Sequence, residues 1–247
     1  MSRIEALLGG KVLIDQGGAG LRATIEPVLL AASVAAEPGE VVLEAGAGVG
    51  TAALCLLARC PDVRVVGVER EADQAMAAEA NAARNGWGAR FVAIAGDIAD
   101  RATARAAASL GPFQHAMANP PWFAAGTRPE DAARRVAKHA PDEGSVAPWV
   151  AFLARRIAPR GTLTLVLPPA LLPEALTAFA RSGLGAPLLF PLWPRQGEAA
   201  KRLILAGRKG ARGGCRILPG LVLHWEDGRY TDAAESALRH GEAVTLA

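Results

Sequence analysis

From residue 41 onward, short apolar runs alternate with longer stretches of helix-forming residues. Runs at 41–43, 63–68, 91–94, 114–118, 162–167, 187–192 and 202–206 predict strands. Helices are expected over 52–59, 72–84, about 101–110, around 149–157 and over 173–181. Asn85-Gly86 closes the second of these as a C-cap does. A polar insertion runs from residue 124 to about 145. Upstream, residues 11–15 and 21–23 read as short extended pieces around a glycine-rich turn at 17–20. Pro27 suits the start of a helix continued by 28–36, which Pro38-Gly39 breaks. Strands alternating with helices of roughly 10–15 residues imply parallel β-α-β units and a doubly wound α/β sheet. The expected organisation is one domain over 1–247: an N-terminal lid and helix (1–38), a core (39–210) and a C-terminal tail (211–247).

Composition narrows the class. Apolar residues make up 51% of the 247, enough to build a sizeable core without covalent staples. No apolar run approaches the ~20 residues of a membrane span. Arg3 and Glu5 are followed by Gly9-Gly10 rather than by the apolar stretch of a signal peptide. Three scattered cysteines, Cys55, Cys60 and Cys215, form no C-x-x-C pair, so reduced thiols and a cytoplasmic location are expected. The four histidines stand at no metal-ligand spacing, and no metal site is expected. A net charge of +3 does not by itself indicate a nucleic-acid partner.

The candidate chemistry lies where strands end. Glu44-Ala45-Gly46-Ala47-Gly48-Val49-Gly50-Thr51 falls where the first core strand turns into a helix. Glycine there permits a sharp turn and close approach of a cofactor. The dinucleotide fingerprint needs glycine at 46, 48 and 51, but position 51 is threonine. The acid two residues before Gly46 would repel a pyrophosphate, whereas a cationic sulfonium with an amino-acid tail would be accepted. E-x-G-x-G-x-G therefore favours S-adenosylmethionine over NAD. Glu69 closes the second strand, 23 positions after Gly46, where an acid can accept from both ribose hydroxyls. Asp97 closes the third, placed to accept from an adenine amine while Ile98 packs on the ring. Alone, either acid would read as a helix N-cap or a solvated loop carboxylate. At consecutive strand ends they form one site, because ligands of open α/β sheets bind there.

Asn119-Pro120-Pro121-Trp122 follows the fourth strand. Each proline fixes φ and restricts the residue before it, so the loop is stiff. Alone it also suits a Pro-rich turn closing a strand. Beside a sulfonium site, the Asn119 side-chain oxygen and the Pro120 carbonyl can accept the two hydrogens of a planar amine, and Trp122 offers a stacking face.

In these motifs the chain resembles the class I S-adenosylmethionine-dependent methyltransferases. The glycine loop, Glu69, Asp97 and the Asn-Pro-Pro-Trp loop match four of that family's motifs in order, over about residues 40–125. The resemblance implies a Rossmann-like seven-stranded, mostly parallel sheet with helices on both faces and the last strand antiparallel. It also implies S-adenosylmethionine held by Glu44, Gly46, Gly48, Gly50, Glu69, Asp97, Ile98 and Asn119. The (Asp/Asn/Ser)-Pro-Pro-(aromatic) loop marks the members that methylate planar amines: adenine N6, cytosine N4, guanine N2 or glutamine N5. Catalysis would then rest on Asn119, Pro120, Pro121 and Trp122.

Further segments, at 8–30, 135–139, 200–203 and 221–231, are similar to the bacterial tRNA1(Val) (adenine-N6)-methyltransferases. This implies a tRNA partner and adenosine 37 as acceptor. Guanine N2 in ribosomal RNA, glutamine N5 in a protein, or an inactive cofactor- and RNA-binding protein are the alternatives. The last is motivated by Thr24-Ile25-Glu26, which departs from the family's Gly-Thr-Asp. Arg134, Arg135, Lys138 and His139 follow the acceptor loop and are candidates to hold RNA phosphate. So are Lys201 and Arg202, within a cluster of seven basic residues between Arg195 and Arg216 that equally reads as a solvated strand end. Trp149, Trp193 and Trp225 read as core or rim aromatics, and His115 as a satisfied strand residue rather than a base.

Overall fold

The computed structural model describes residues 4–17, 24–121 and 144–246. In chain order the elements are β1 (Ile4–Leu7), β2 (Val12–Asp15), α1 (Ile25–Ser33), β3 (Val41–Ala45), α2 (Thr51–Arg59), β4 (Arg64–Glu69) and α3 (Ala72–Arg84). Then come β5 (Phe91–Ala95), α4 (Arg101–Ser109), β6 (Phe113–Ala118), α5 (Ala147–Ala154), β7 (Ile157–Leu167) and α6 (Leu172–Arg181). The chain continues through β8 (Leu184–Trp193), β9 (Arg202–Lys209), β10 (Arg216–Ile217), β11 (Leu221–Val222) and α7 (Asp232–Glu235).

The expected seven strands form one sheet in the order β5-β4-β3-β6-β7-β9-β8. β3 to β7 pair in parallel, and β9 runs antiparallel between β7 and β8. The parallel strands are covered on both faces, which is why they read as unbroken apolar runs. Alternation along β3 sends Val42 to one face, where it packs with α1, α2 and α3. Val41, Leu43 and Ala45 go to the other, with α4, α5 and α6.

Several features escaped the periodicity, among them α1, which starts at Ile25, ahead of Pro27, and ends at Ser33 rather than 36. Ile4–Leu7 is a strand, paired antiparallel with β2, although its I-E-A-L pattern is half-exposed and short. β7 begins at Ile157 rather than at 162, because the ladder slips between Phe113 and His115 and absorbs Pro159, Arg160 and Gly161 as an irregularity. α5 starts two residues earlier and stops three earlier than 149–157. The sheet also carries two strands beyond the seven: β10 and β11 pair in parallel with β8 and cover what would be an open edge. Each is two residues long, too short to show alternation. Between them Gly220 passes so close that a Cβ there would lie 2.3 Å from the Pro191 carbonyl oxygen.

Both chain ends pack on the α1 face. Val12 and Ile14 of the hairpin are fully buried, the Lys11 ammonium donates to the His240 carbonyl at 2.8 Å, and the Val244 N–H donates to the Ala32 carbonyl at 2.8 Å. Among the described residues no helix is long and apolar enough to cross a membrane.

α5 is held at its start from outside its own sequence. The Glu174 carboxylate of α6 accepts from the backbone N–H of Val146 at 2.9 Å and of Ala147 at 3.1 Å. These are N–H groups that a helix start otherwise leaves unpaired. Glu174→Ala is expected to cost about 1 kcal/mol and to lower Tm by roughly 2–4 °C. Glu174→Gln, which keeps the acceptor, should lose less. Calorimetric unfolding of the two variants measures this.

Candidate active site

The parallel register brings the predicted residues to one edge. Ala45 pairs with Val68 on one side and with Ala118 on the other, and Glu69 pairs with Ala95. Gly46, Glu69, Asp97 and Asn119 therefore leave the sheet at nearly one level from four adjacent strands. Asn119 is half-buried, Pro120 buried and Pro121 exposed. Trp122, Arg134, Arg135, Lys138 and His139 lie outside the described residues.

The turn from β3 to α2 needs its glycines. Gly46, Gly48 and Gly50 have φ of 71°, 55° and 91°, values that side chains disfavour. The Gly46 and Ala47 N–H groups donate to the Val68 carbonyl at 2.8 and 3.1 Å. The loop thus bends back over the end of β4. A Cβ on Gly46 would lie 2.9 Å from the Trp149 ring. Trp149, expected only as a core or rim aromatic, in fact lies against the cofactor-type loop, carried there by α5.

Acids set the electrostatics of the edge. Glu69 accepts from the Gly48 N–H at 2.8 Å with one oxygen and from the Glu71 N–H at 3.0 Å with the other. A carboxylate oxygen accepts twice, so among the described residues each keeps a lone pair without a donor. Asp97 accepts from the Ala99 N–H at 2.8 Å with one oxygen. Ile98 packs against the hydrophobic cluster on the α4 face.

Glu44 is 3% exposed, one residue before the end of an otherwise apolar strand. Burial raises its carboxyl well above the ordinary glutamate range. A hydrogen bond from the Ala53 N–H opposes that rise, and the charge of Glu69 adds to it. One Glu44 oxygen is buried without a hydrogen-bond partner among the described residues. A buried, orphaned acceptor costs free energy unless a donor arrives, and a cationic donor suits it best. This carboxylate and the glycine cradle therefore fit the ammonium-bearing end of S-adenosylmethionine. Burial also pushes the Cys55 thiol up to about 12, with Glu44 adding to the effect, so no thiolate forms behind the loop.

Other expected residues fall elsewhere. His115 is satisfied within the sheet, with Nδ1 2.7 Å from the Thr162 hydroxyl and Nε2 2.9 Å from Glu40. The basic cluster from 195 to 216 is not one patch, because antiparallel β9 divides it. Arg195, Lys201 and Arg202 stand at the edge that carries Asn119, Arg208, Lys209 and Arg212 stand at the opposite end, and Arg216 pairs with Leu188 in the middle of β8. Lys209 is structural: its ammonium donates to the Ala154 carbonyl at 2.7 Å and to the Ser182 carbonyl at 3.1 Å. Arg202 pairs with Glu26 at 3.2 Å, so the altered 24–26 segment supplies an ion pair between α1 and β9. Among the described residues no group of three or more His, Cys, Asp or Glu could hold a metal ion.

Sheet order, glycine turn and buried leading acid together define a class I S-adenosylmethionine-dependent methyltransferase. The family model of the Methyltransferase small domain matches residues 25–144. Over 222 residues the chain is 33% identical to a tRNA1(Val) (adenine(37)-N6)-methyltransferase of Aeromonas hydrophila, covering 89% of each. A protein of the same name from Shewanella amazonensis is 29% identical over 198 residues, 80% of this chain and 82% of that one. The chain belongs to the tRNA1(Val) (adenine(37)-N6)-methyltransferase family. Among solved structures, a predicted O-methyltransferase of Agrobacterium tumefaciens superposes with a TM-score of 0.74 at 24% identity, covering 89% of this chain and 98% of that one. The 16S rRNA N2 G1207 methyltransferase of T. thermophilus, solved with AdoMet and guanosine, gives 0.57 at 20% identity over 85% of this chain and 50% of that one. Both share the fold.

The raised Glu44 carboxyl carries a pH signature. Between the unfolded glutamate pKa of about 4.3 and the raised folded value, the folded chain holds a proton that the unfolded chain has released. Stability contributed at this position therefore falls as pH rises through that window. Glu44→Gln removes the fall. Its Tm advantage over the parent protein should be smallest near pH ~4 and widen toward neutrality. Calorimetry across that range tests this, and parallel Tm curves would contradict it.

Proposed function

We propose that the chain transfers a methyl group to the exocyclic N6 amine of an adenosine in tRNA, with position 37 of tRNA1(Val) as the acceptor. The observation that carries this reading is the placement of Asn119-Pro120-Pro121 on the strand beside the one that bears the glycine loop. The names of the curated relatives support the choice of acceptor.

S-Adenosylmethionine, when bound, supplies the electrophilic methyl group. The residues of the chain divide the remaining work. Glu44 and the turn at Gly46, Gly48 and Gly50 receive the amino-acid end. The remaining lone pairs of Glu69 would accept from ribose hydroxyls, Asp97 would accept from the adenine amine of the cofactor, and Ile98, packed on the α4-face cluster, would offer its ring an apolar surface. The adenosine N6 lone pair is delocalised into the ring, which makes the amine a poor nucleophile. The Asn119 oxygen and the Pro120 carbonyl accept its two hydrogens and turn the nitrogen toward the methyl group. This is catalysis by positioning and by preorganised dipoles. A strong base is not required, because the methylated nitrogen is acidic and loses its proton late. Trp122 stacks on the splayed base, an interaction of about 1–3 kcal/mol. An unpaired anticodon-loop base is cheap to flip.

Arg134, Arg135, Lys138 and His139, together with Lys201 and Arg202, hold RNA phosphate. Arg202 already engages Glu26, which leaves Lys201 the stronger phosphate contact of those two.

Incubation with labelled cofactor and bulk tRNA, followed by nucleoside mass spectrometry, should yield N6-methyladenosine. Label in guanosine or in protein would assign another amine, and binding without transfer would mark an inactive protein. Asn119→Ala should lower kcat/KM by at least about a hundredfold with the fold intact. Near-normal transfer by that variant would refute the proposed role of the loop.

A further inference from the structure

We propose that Asn81 is a positioning residue that couples docking of the amino-terminal hairpin to binding of S-adenosylmethionine. The inference rests on the family's cofactor and not on which amine is methylated. Asn81 lies in α3 and is fully buried. Its side-chain oxygen accepts from the Asp15 N–H at 2.9 Å, and its nitrogen donates to the Asp15 carbonyl at 3.1 Å. The same nitrogen donates to the Val49 carbonyl, inside the glycine loop, at 3.0 Å. The Arg84 guanidinium takes the remaining lone pair of the oxygen. The amide is thereby saturated.

One turn on, Asn85 repeats the first half of this pattern. It accepts from the Leu13 N–H at 2.9 Å and donates to the Leu13 carbonyl at 2.7 Å. Positions i and i+4 of a helix are about 6 Å apart along its axis, and alternate residues of an antiparallel strand are about 6.8 Å apart. The two amides therefore stand in for a neighbouring strand along the edge of β2 that β1 leaves open. Only Asn81 also reaches the glycine loop. There the Gly48–Val49 pair is gripped at both ends, with its N–H on Glu69 and its carbonyl on Asn81. A loop shape that favours the cofactor also favours the Asn81 rotamer that holds Asp15. Such coupling is reciprocal, so cofactor binding must stabilise hairpin docking.

The test uses the full chain and S-adenosylhomocysteine as the probe, without RNA. In the parent protein the probe should slow amide exchange at Leu13 and Asp15. In Asn81→Ala, which removes the donor to the half-buried Val49 carbonyl, the probe's Kd should rise about tenfold and exchange should no longer respond to it. In methyl transfer to tRNA, KM for S-adenosylmethionine should rise in parallel, with kcat changed by less than about twofold. Asn85→Ala should speed Leu13 exchange in the absence of the probe and leave the response of Asp15 to it intact. Unaltered exchange in the parent protein on adding the probe overturns the proposal, as does Asn81→Ala binding it with the parent's Kd. Should Asn81→Ala fail to fold, the parent and Asn85→Ala measurements decide. Because no acceptor enters the binding and exchange arms, their failure leaves the adenosine assignment standing, and failure to methylate adenosine leaves the coupling standing.

Discussion

The backbone has to change from strand to helix between Ala45 and Thr51, and everything at the carboxyl edge of the sheet depends on how it does so. Three left-handed glycines make the reversal possible. Their lack of side chains also costs conformational entropy, so the shape has to be imposed by neighbours. Val68 receives two N–H groups of the turn, Glu69 a third, and Asn81 reaches a carbonyl of the loop. Trp149 closes the side on which a Cβ at Gly46 would stand. A loop that must admit a ligand is thus held by strand ends and helices packed against it.

Glu44 shows the tension between stability and function at this edge. An acid buried in β3 with an unpaired oxygen weakens the folded chain, since burial opposes its ionisation. A glutamine would be less costly there in the absence of a ligand. The same unpaired acceptor beside the glycine turn is what makes the position receptive to a cation. The Glu26–Arg202 pair works differently, joining the start of α1 to the start of β9.

The core was legible because its strands, mostly buried, are largely apolar, and all seven showed as apolar runs. The strand-end positions of Glu69, Asp97 and Asn119 were legible for a related reason: Glu69 and Asn119 close or follow an apolar run directly, and Asp97 stands two residues beyond one, where open sheets carry ligands. Trp149 and Asn81 were not. A tryptophan in an apolar helix has no local mark of what its ring touches. Asn81 stands in an Ala-rich helix and Asn85 caps its end, and a polar, poorly helix-forming side chain at Asn81 was the available signal of a buried contact.

The seven core strands and the helices between them, the glycine turn, the acids at strand ends and the stiff Asn119-Pro120-Pro121 segment can be read off the chain, because each is written within a few consecutive residues. What residues far apart in the chain do together follows from packing. Antiparallel β9 splits a run of basic residues between two ends of the sheet, and β10 and β11 seal its edge. α3 lends two side-chain amides to a hairpin 66 and 72 positions away. Such contacts depend on strand direction and helix packing, which no local pattern of residues encodes.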